Sequence, residues 1–173
     1  MLTVETYKQY VGINSPNQDH AITPVITFVN DFIAKYCNIS LTRKNKEETH
    51  IAGPASSGYQ KLVLRESPLF RVNDIYFGNT FLEEDLDYFV DDEIIYLTRR
   101  HPFGRKITVD YSYGYNELPS GILMPAIELV TYFLKREFNK TQSLGVTGES
   151  VTFLDPKVVP PHIKAGLDLY RVV

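Results

Sequence analysis

Residues 105–139 read RKITVDYSYGYNELPSGILMPAIELVTYFLKREFN, and this stretch decides the fold. In its first part, apolar and aromatic residues occupy every second position: Ile107, Val109, Tyr111 and Tyr113. A period of two is the pattern of a β-strand with one buried face. The alternation stops at Gly114, which predicts that the strand ends there.

The second part of the same stretch has the period of a helix. After Leu118-Pro119, apolar residues recur every three or four positions: Ile122, Ala126, Leu129, Val130, Phe133, Leu134 and Phe138. This spacing predicts a long amphipathic helix over residues 119–140 that packs on another part of the protein. A short link therefore joins a strand to a helix within one continuous stretch.

The N-terminal part of the chain is also predicted to be helical. Thr3 can cap a short helix that Gly12 ends. A second apolar stripe follows and runs to about Asn38. Its residues are Ile22, Val25, Ile26, Val29, Phe32, Ile33 and Tyr36. Pro24 leaves the start of the second helix open between two residues. A cap at Thr23 places the proline at the first helical position, whereas a cap at Asp19 places it inside the helix and bends the helix. We expect the earlier start.

The middle and the end of the chain have other patterns. Residues 42–60 lack apolar periodicity and are predicted to form a flexible loop. Residues 61–115 contain short alternating segments between turn residues, which predict an antiparallel meander of about five strands. Residues 144–173 are predicted to form a C-terminal arm, with a short helix that begins at Pro160-Pro161.

Together these patterns predict one domain over residues 1–173 with an α+β fold. Residues 1–41 supply the N-terminal helices of a helical body. That body consists of two long helices plus short N- and C-terminal helices, and the antiparallel β-meander is inserted into it.

Composition excludes several classes of protein. The net charge of -3 argues against a dedicated nucleic-acid binder, which would present a basic surface to phosphate. The single cysteine, Cys37, cannot form an internal disulfide or a zinc cluster, and it is best interpreted as a small buried apolar residue. The sequence shows no signal peptide and no apolar run long enough to span a membrane. We therefore expect a protein of a reducing cytosol.

The sequence carries no recognisable catalytic motif. It has no phosphate-binding glycine loop, no dinucleotide fingerprint and no nucleophile elbow, and its four histidines are scattered. We therefore expect no enzymatic activity, no cofactor and no metal site. Eight carboxylates between Arg71 and Arg99 could bind a hard cation such as calcium, but a solvated hairpin edge is the favoured interpretation.

Charged residues of opposite sign lie close together in the strand region. An acidic run is followed by a basic one, and in a symmetric assembly such a polarity favours head-to-tail contact between copies. The residues predicted to make these inter-subunit charge contacts are Glu83, Glu84, Asp85, Arg99, Arg100 and Arg105. The alternative is that they belong to two separate solvated loops.

Several short motifs, taken in order, resemble the head-tail connector proteins of tailed bacteriophages, also called adaptor or head-completion proteins. They are FIAKY at 32–36, SPL at 67–69, VNDI at 72–75, ITVDYSYGY at 107–115, LP at 118–119 and LYR at 169–171. The resemblance covers most of the chain and contains no catalytic signature. The strand region is larger than in the compact members of that family, which are mainly helical.

The resemblance implies a non-enzymatic structural protein of the virion neck, assembled in the host cytoplasm. Its partners would be the portal protein, a stopper or tail-completion protein, and neighbouring copies in a homo-oligomeric ring, a dodecamer. Genomic DNA would pass through the channel of this ring without sequence-specific binding, and no membrane would be involved. The sequence itself encodes no copy number.

The resemblance also implies that the C-terminal segment holds the portal or a neighbouring subunit. The matching residues here are Val158, Val159, Ile163, Leu167, Leu169, Tyr170, Arg171, Val172 and Val173. An apolar end that completes no core by itself is a plausible anchor. The alternative is a helix that packs back on its own subunit.

Two other functions remain open at the level of sequence. One is another ring protein of the neck or tail, such as a stopper or a tail terminator, which helix content would distinguish. The other is a metal-binding hydrolase or a sugar-binding module that uses the acidic cluster, for which a metal-dependent melting temperature would be the sign.

Overall fold

The chain divides into two compact units. A computed structural model describes residues 1–52, 59–91, 93–99, 101–102, 104–135 and 159–172. A helical unit consists of Met1–Asn38 and Glu117–Val173, and a β unit consists of Ile39–Asn116. The presence of helices and antiparallel sheets confirms the α+β class. The prediction of one domain stays a prediction.

The helical unit contains four helices and one short 3-10 turn among the described residues. They are α1 (Val4–Val11), the turn Pro16–Gln18, α2 (Asp19–Cys37), α3 (Ser120–Leu134) and α4 (Pro161–Asp168). Residues 136–140 of the helix predicted over 119–140 lie outside the described residues, as do residues 144–158 of the predicted arm.

Local sequence explains where these helices begin and end. The Thr3 hydroxyl accepts a hydrogen bond from the Thr6 backbone N–H, and Gly12 ends α1 with a left-handed φ of 75°. Helix α2 starts at Asp19, with Gln18 as its N-cap and Pro24 in its interior, so the earlier of the two predicted starts is confirmed to within one residue. Asn38 then ends α2 in the left-handed region, at φ 56°.

The apolar stripes of these helices form the interior of the helical unit, in which α3 packs on both α2 and α4. The fully buried side chains of α2 and α3 include Ile22, Val29, Ile33, Ile122, Leu129 and Val130. The apolar spacing in the sequence had predicted each of them to lie on a buried face.

The described residues of the β unit form seven strands in two antiparallel sheets. The strands are β1 (Lys44–Ile51), β2 (Gln60–Val63), β3 (Leu69–Phe77), β4 (Thr80–Leu82), β5 (Tyr88–Asp91), β6 (Ile94–Leu97) and β7 (Lys106–Tyr113). One sheet has the order β1-β7-β3-β4 and the other has the order β2-β6-β5. Both sheets contribute side chains to one apolar core, which includes Leu62, Ile75, Ile95, Val109 and Tyr111.

The predicted meander is wrong, because most strands pair with partners that are distant in sequence. Only β3-β4 and β5-β6 are neighbours both in the sequence and in a sheet. The strand with the clearest alternation, β7, lies between β1 and β3. Alternation shows that a segment has one buried face, but it carries no information about the partner strand.

The prediction of a flexible loop over residues 42–60 is also wrong from Lys44 to Ile51. Lys44–Ile51 forms β1, which pairs with β7 along its whole length, and β2 begins at Gln60. Residues 53–58 lie outside the described residues. The sequence KNKEETHI lacks an apolar face because its buried position is a carboxylate, Glu48.

We expect two histidines of the β unit to make the stability of the protein depend on pH. Burial lowers the pKa of His50 and of His101, although nearby carboxylates partly oppose this effect. The unfolded chain then binds protons more readily than the folded chain. Stability is therefore fully present above the ordinary histidine pKa of about 6.5 and is lost as the pH falls below it.

The measurement is the free energy of unfolding from urea denaturation between about pH 7.5 and 5.5. We expect the double variant His50→Gln/His101→Gln to flatten this dependence. The matched control is His20→Gln at an exposed position, which should keep the dependence of the parent chain. An unchanged slope in the double variant would contradict the assignment.

Candidate assembly surfaces

The C-terminal helix α4 packs on its own chain. Pro160 precedes the helix and Pro161 opens it, at positions where a missing backbone N–H costs nothing. Ile163 and Leu167 lie one turn apart and are buried, and α4 packs on α3 and α2. Their burial corrects the prediction that these two residues bind a portal, because they already complete the core of the helical unit. The alternative of a helix that packs back is the one observed.

The residues after α4 also contact the rest of the helical unit. The Tyr170 ring lies so close to Gly121 that a Cβ at this glycine would overlap it. The backbone N–H of Val172 donates to the carbonyl oxygen of Cys37 at 2.9 Å. The Arg171 guanidinium lies over the Tyr36 ring, 5.6 Å from its centroid.

The predicted portal-binding set therefore separates into buried and exposed residues. Leu169 is 84% exposed, and Arg171 and Val172 also reach the surface. Val159 is half-buried, and Val158 and Val173 lie outside the described residues. The exposed members remain available to another protein, and their role stays a prediction.

Cys37 is buried at the junction between α2 and the C-terminal residues, as the sequence predicts. Burial raises the pKa of its thiol to about 11. The thiol is therefore protonated at neutral pH and unsuited to act as a nucleophile.

An aromatic stripe on the surface of the helical unit consists of Phe28, Phe32 and Tyr36 on α2 and Phe133 on α3. Phe28 and Phe133 meet edge to face with their ring centroids 5.2 Å apart, and Phe32 stacks on Tyr36 at 5.6 Å. The apolar spacing predicted that Phe32 and Tyr36 lie on the buried face of α2, and it did not include Phe28. Their spacing of four residues, beside the buried stripe, was the signal that this helix has a second apolar face.

The predicted acidic contact residues lie in one tight turn. Glu83, Glu84 and Asp85 are exposed, whereas Asp87 is buried. The Asp87 carboxylate accepts a hydrogen bond from the Glu83 N–H at 3.1 Å, and the Thr98 hydroxyl donates to a backbone carbonyl of the same turn. One carboxylate of the acidic run therefore holds the turn, and the others point to solvent.

The predicted basic contact residues are only partly available. Arg99 Nε lies 3.1 Å from an oxygen of Asp87, so Arg99 already has an ion-pair partner in its own chain. Arg105 is exposed, and Arg100 lies outside the described residues. Contacts of these residues between subunits stay a prediction.

A second aromatic surface lies on the outer side of the β2-β6-β5 sheet. We call it the aromatic face and define it by Tyr59, Val63, Phe89, Ile94 and Tyr96. Phe89 and Tyr96 stack with centroids 5.0 Å apart, and the Tyr59 ring stands edge-on to both. A tyrosine in a strand suits the core and an interface equally well, so the sequence does not show which side of this sheet is exposed.

The part of the chain that the structure describes contains neither a cluster of metal-binding side chains nor a membrane-spanning helix. Among these residues, no group of three or more His, Cys, Asp or Glu side chains is placed to hold a metal ion. No helix in this part is sufficiently long and apolar to cross a membrane.

Comparison with known proteins identifies the family of this chain. The family model for head completion proteins matches residues 1–173. The head completion protein of Escherichia phage T5 is 22% identical over 184 residues, which cover 100% of this chain and 99% of that protein.

Two solved structures share the fold. A chain in the neck of an empty gene transfer agent particle, computed with C6 symmetry, has a TM-score of 0.58 and 12% identity, over 99% of this chain and 90% of that chain. A chain in the neck of the native particle, computed with C12 symmetry, has a TM-score of 0.53 and 14% identity, over 90% and 86%.

The family match and the phage T5 relative place the chain in a class, the structural proteins of bacteriophage particles. Within this class, the chain belongs to the head completion protein family, which confirms the resemblance found in the sequence.

Proposed function

We propose that this chain is a head-tail connector, or adaptor, of a phage neck. In this role copies of the chain form a ring beneath the portal. The ring extends the DNA channel and docks the stopper or the tail. The observation that carries the proposal is the family match over the whole chain, together with the fold shared with neck components of symmetric particles.

The surfaces described above suit an assembly role. The helical unit buries its own stripes and still presents exposed apolar residues at its C-terminal end, of which Leu169 is the most exposed. An exposed leucine beside Arg171 can anchor a partner through apolar burial and a charge-assisted contact at the rim. The portal contact is therefore proposed at Leu169, Arg171 and Val172.

The test is co-sedimentation of the full chain with portal rings from the same genome. We expect the parent chain to bind and Leu169→Asp to weaken binding by about tenfold or more, because a carboxylate would have to be desolvated at the contact. The matched control is Leu86→Asp in the β unit, where the leucine is 55% exposed. This control should bind like the parent.

The possible results test the adaptor role and the contact at Leu169 separately. If the parent does not bind portal rings, the adaptor role is wrong. If the parent and both variants bind equally, the role stands but the contact lies elsewhere on the chain. Both leucines are exposed, so loss of fold should not confuse the result; circular dichroism of each variant checks this.

A further inference from the structure

The aromatic face carries two charges at opposite corners. Strand pairing aligns Lys61, Tyr96 and Phe89 in one row across the sheet. It aligns Val63, Ile94 and Asp91 in the next row. Lys61 therefore lies on one edge strand of the sheet, and Asp91 lies on the other edge strand and in the other row. Both residues are exposed.

The middle of the same face is apolar and open to solvent. Val63 is 63% exposed and Tyr59 is 50% exposed, beside the stacked pair of Phe89 and Tyr96. Neighbouring rings and aliphatic side chains of this kind gain stability when a partner removes them from water. The outer side of a sheet that is only solvated would normally carry polar residues at these positions.

We propose that the aromatic face binds the same face of a second copy of this chain in a two-fold symmetric dimer. A two-fold axis in the plane of contact, perpendicular to the line from Lys61 to Asp91, places Lys61 of each copy opposite Asp91 of the other. The rings of the two copies meet in the middle. A different partner would need an anion opposite Lys61 and a cation opposite Asp91, whereas a second copy supplies both by symmetry.

The chain leaves both charges available for this contact. Lys61 lies over its own Tyr96 ring, with Nζ 5.2 Å from the centroid, and Asp91 has no ion-pair partner among the residues that the structure describes. An opposing carboxylate would join the lysine at the rim of the apolar patch. The pair would then be partly shielded from solvent, where opposite charges attract more strongly than in water.

This dimer is separate from the proposed ring. A two-fold contact closes at two copies, whereas a cyclic ring requires two different surfaces on each subunit. The face is also small, because each of its strands has only four residues. We therefore expect a weak, reversible dimer with a dissociation constant roughly in the micromolar range or above. Such a dimer can dissociate when the chain enters a larger assembly.

The experiment is sedimentation equilibrium of the full chain over a range of concentrations, with charge variants. Lys61→Glu and Asp91→Lys each place like charges together at both symmetric contacts, so each should weaken the dimer on the order of tenfold or more. The double variant Lys61→Glu/Asp91→Lys should restore it. A mixture of the two single variants should also dimerise, because one copy then carries two anions and the other two cations.

Other results would overturn the proposal. The parent chain could stay monomeric at every concentration, or self-associate with an affinity that the single variants leave unchanged. The double variant and the mixture could also both fail to restore dimerisation. Any of these would show that the face does not pair with itself. If the charge variants form rings or bind portal as the parent does, that result concerns only the proposed adaptor function. The dimer and the adaptor function can therefore be disproved independently.

Discussion

Replacing Gly114 with alanine is expected to lower the free energy of unfolding by about 3 kcal/mol. Gly114 follows β7 and has a left-handed φ of 88°. A Cβ at this position would overlap the backbone carbonyl of Thr42 and would also press on Ser40. The left-handed conformation alone costs an alanine roughly 1–2 kcal/mol, and the overlap adds to it because a backbone cannot turn aside as a flexible side chain can.

The position of Gly114 explains why the overlap cannot be relieved easily. Its own N–H donates to the carbonyl oxygen of Pro68 at 2.8 Å, and the Ser40 N–H donates to the carbonyl oxygen of Ser67 at 2.9 Å. Three segments of the β unit therefore meet at this glycine. Moving any one of them would break a backbone hydrogen bond.

The measurement is urea denaturation followed by circular dichroism. Gly104→Ala is the matched control, because Gly104 has a similar φ of 81° but nothing within 4 Å of an added Cβ. We expect this control to show only the conformational cost. Equal losses in the two variants would contradict the role assigned to the close approach of Thr42.

Tyr111→Phe is expected to lower the free energy of unfolding by about 2 kcal/mol, because it removes the hydroxyl donor of a buried carboxylate. The Tyr111 hydroxyl donates to Glu48 Oε2 at 2.8 Å, and both side chains are buried. Burial and this hydrogen bond both raise the pKa of Tyr111, so the phenol stays protonated and keeps its role as donor.

The other contacts of Glu48 cannot replace this donor. Oε1 lies 3.2 Å from His50 Nε2 and 3.3 Å from Arg65 Nε, but it has no partner in hydrogen-bond geometry among the described residues. Because burial lowers the pKa of His50, only the charge of Arg65 acts on that oxygen at neutral pH. The backbone N–H of Arg65 reaches Oε2 at 3.4 Å, which is long for a hydrogen bond. Without Tyr111 the carboxylate would be buried and poorly satisfied.

Tyr113→Phe is the matched control for this prediction. Tyr113 lies on the same strand and the same face, but its hydroxyl makes no hydrogen bond to a described residue. We expect a change within about 0.5 kcal/mol, as for a substitution that removes no partner. A double-mutant cycle with Glu48→Leu adds a second check, since Tyr111→Phe should cost little once the carboxylate is absent. An undiminished cost in that background would rule out the proposed pairing.

The same carboxylate shows why β1 escaped prediction. A strand is recognised when apolar residues alternate with polar ones, and the buried position of KNKEETHI is Glu48. Its burial depends on a tyrosine that is 63 residues away in sequence. This contact exists only once β7 pairs with β1 in the folded sheet. Read alone, residues 44–51 are mostly polar and therefore resemble a loop.

For the surfaces too, the sequence showed which residues are apolar, and only the structure showed which of them are exposed. The apolar character of the C-terminal segment was visible in sequence, but its separation into buried Ile163 and Leu167 and exposed Leu169 was not. All three are apolar, and a short helix can turn any of its faces toward its own chain or toward a partner. The aromatic face was missed in a similar way, because a tyrosine in a strand fits the core as well as the outer side of a sheet.

The sequence by itself determined the α+β class, the ends of α1 and α2, the buried stripes of α2 and α3, and the likeness to head completion proteins. These features depend on neighbours in the chain: a hydroxyl three residues before an N–H, a residue able to adopt a left-handed turn, or apolar side chains one turn apart. Only the tertiary structure decided which strands pair, why Glu48 can be buried, and which apolar residues remain exposed. Those outcomes depend on contacts between segments that are distant in the sequence. A local pattern predicts that a face is buried, but it does not predict which segment covers that face.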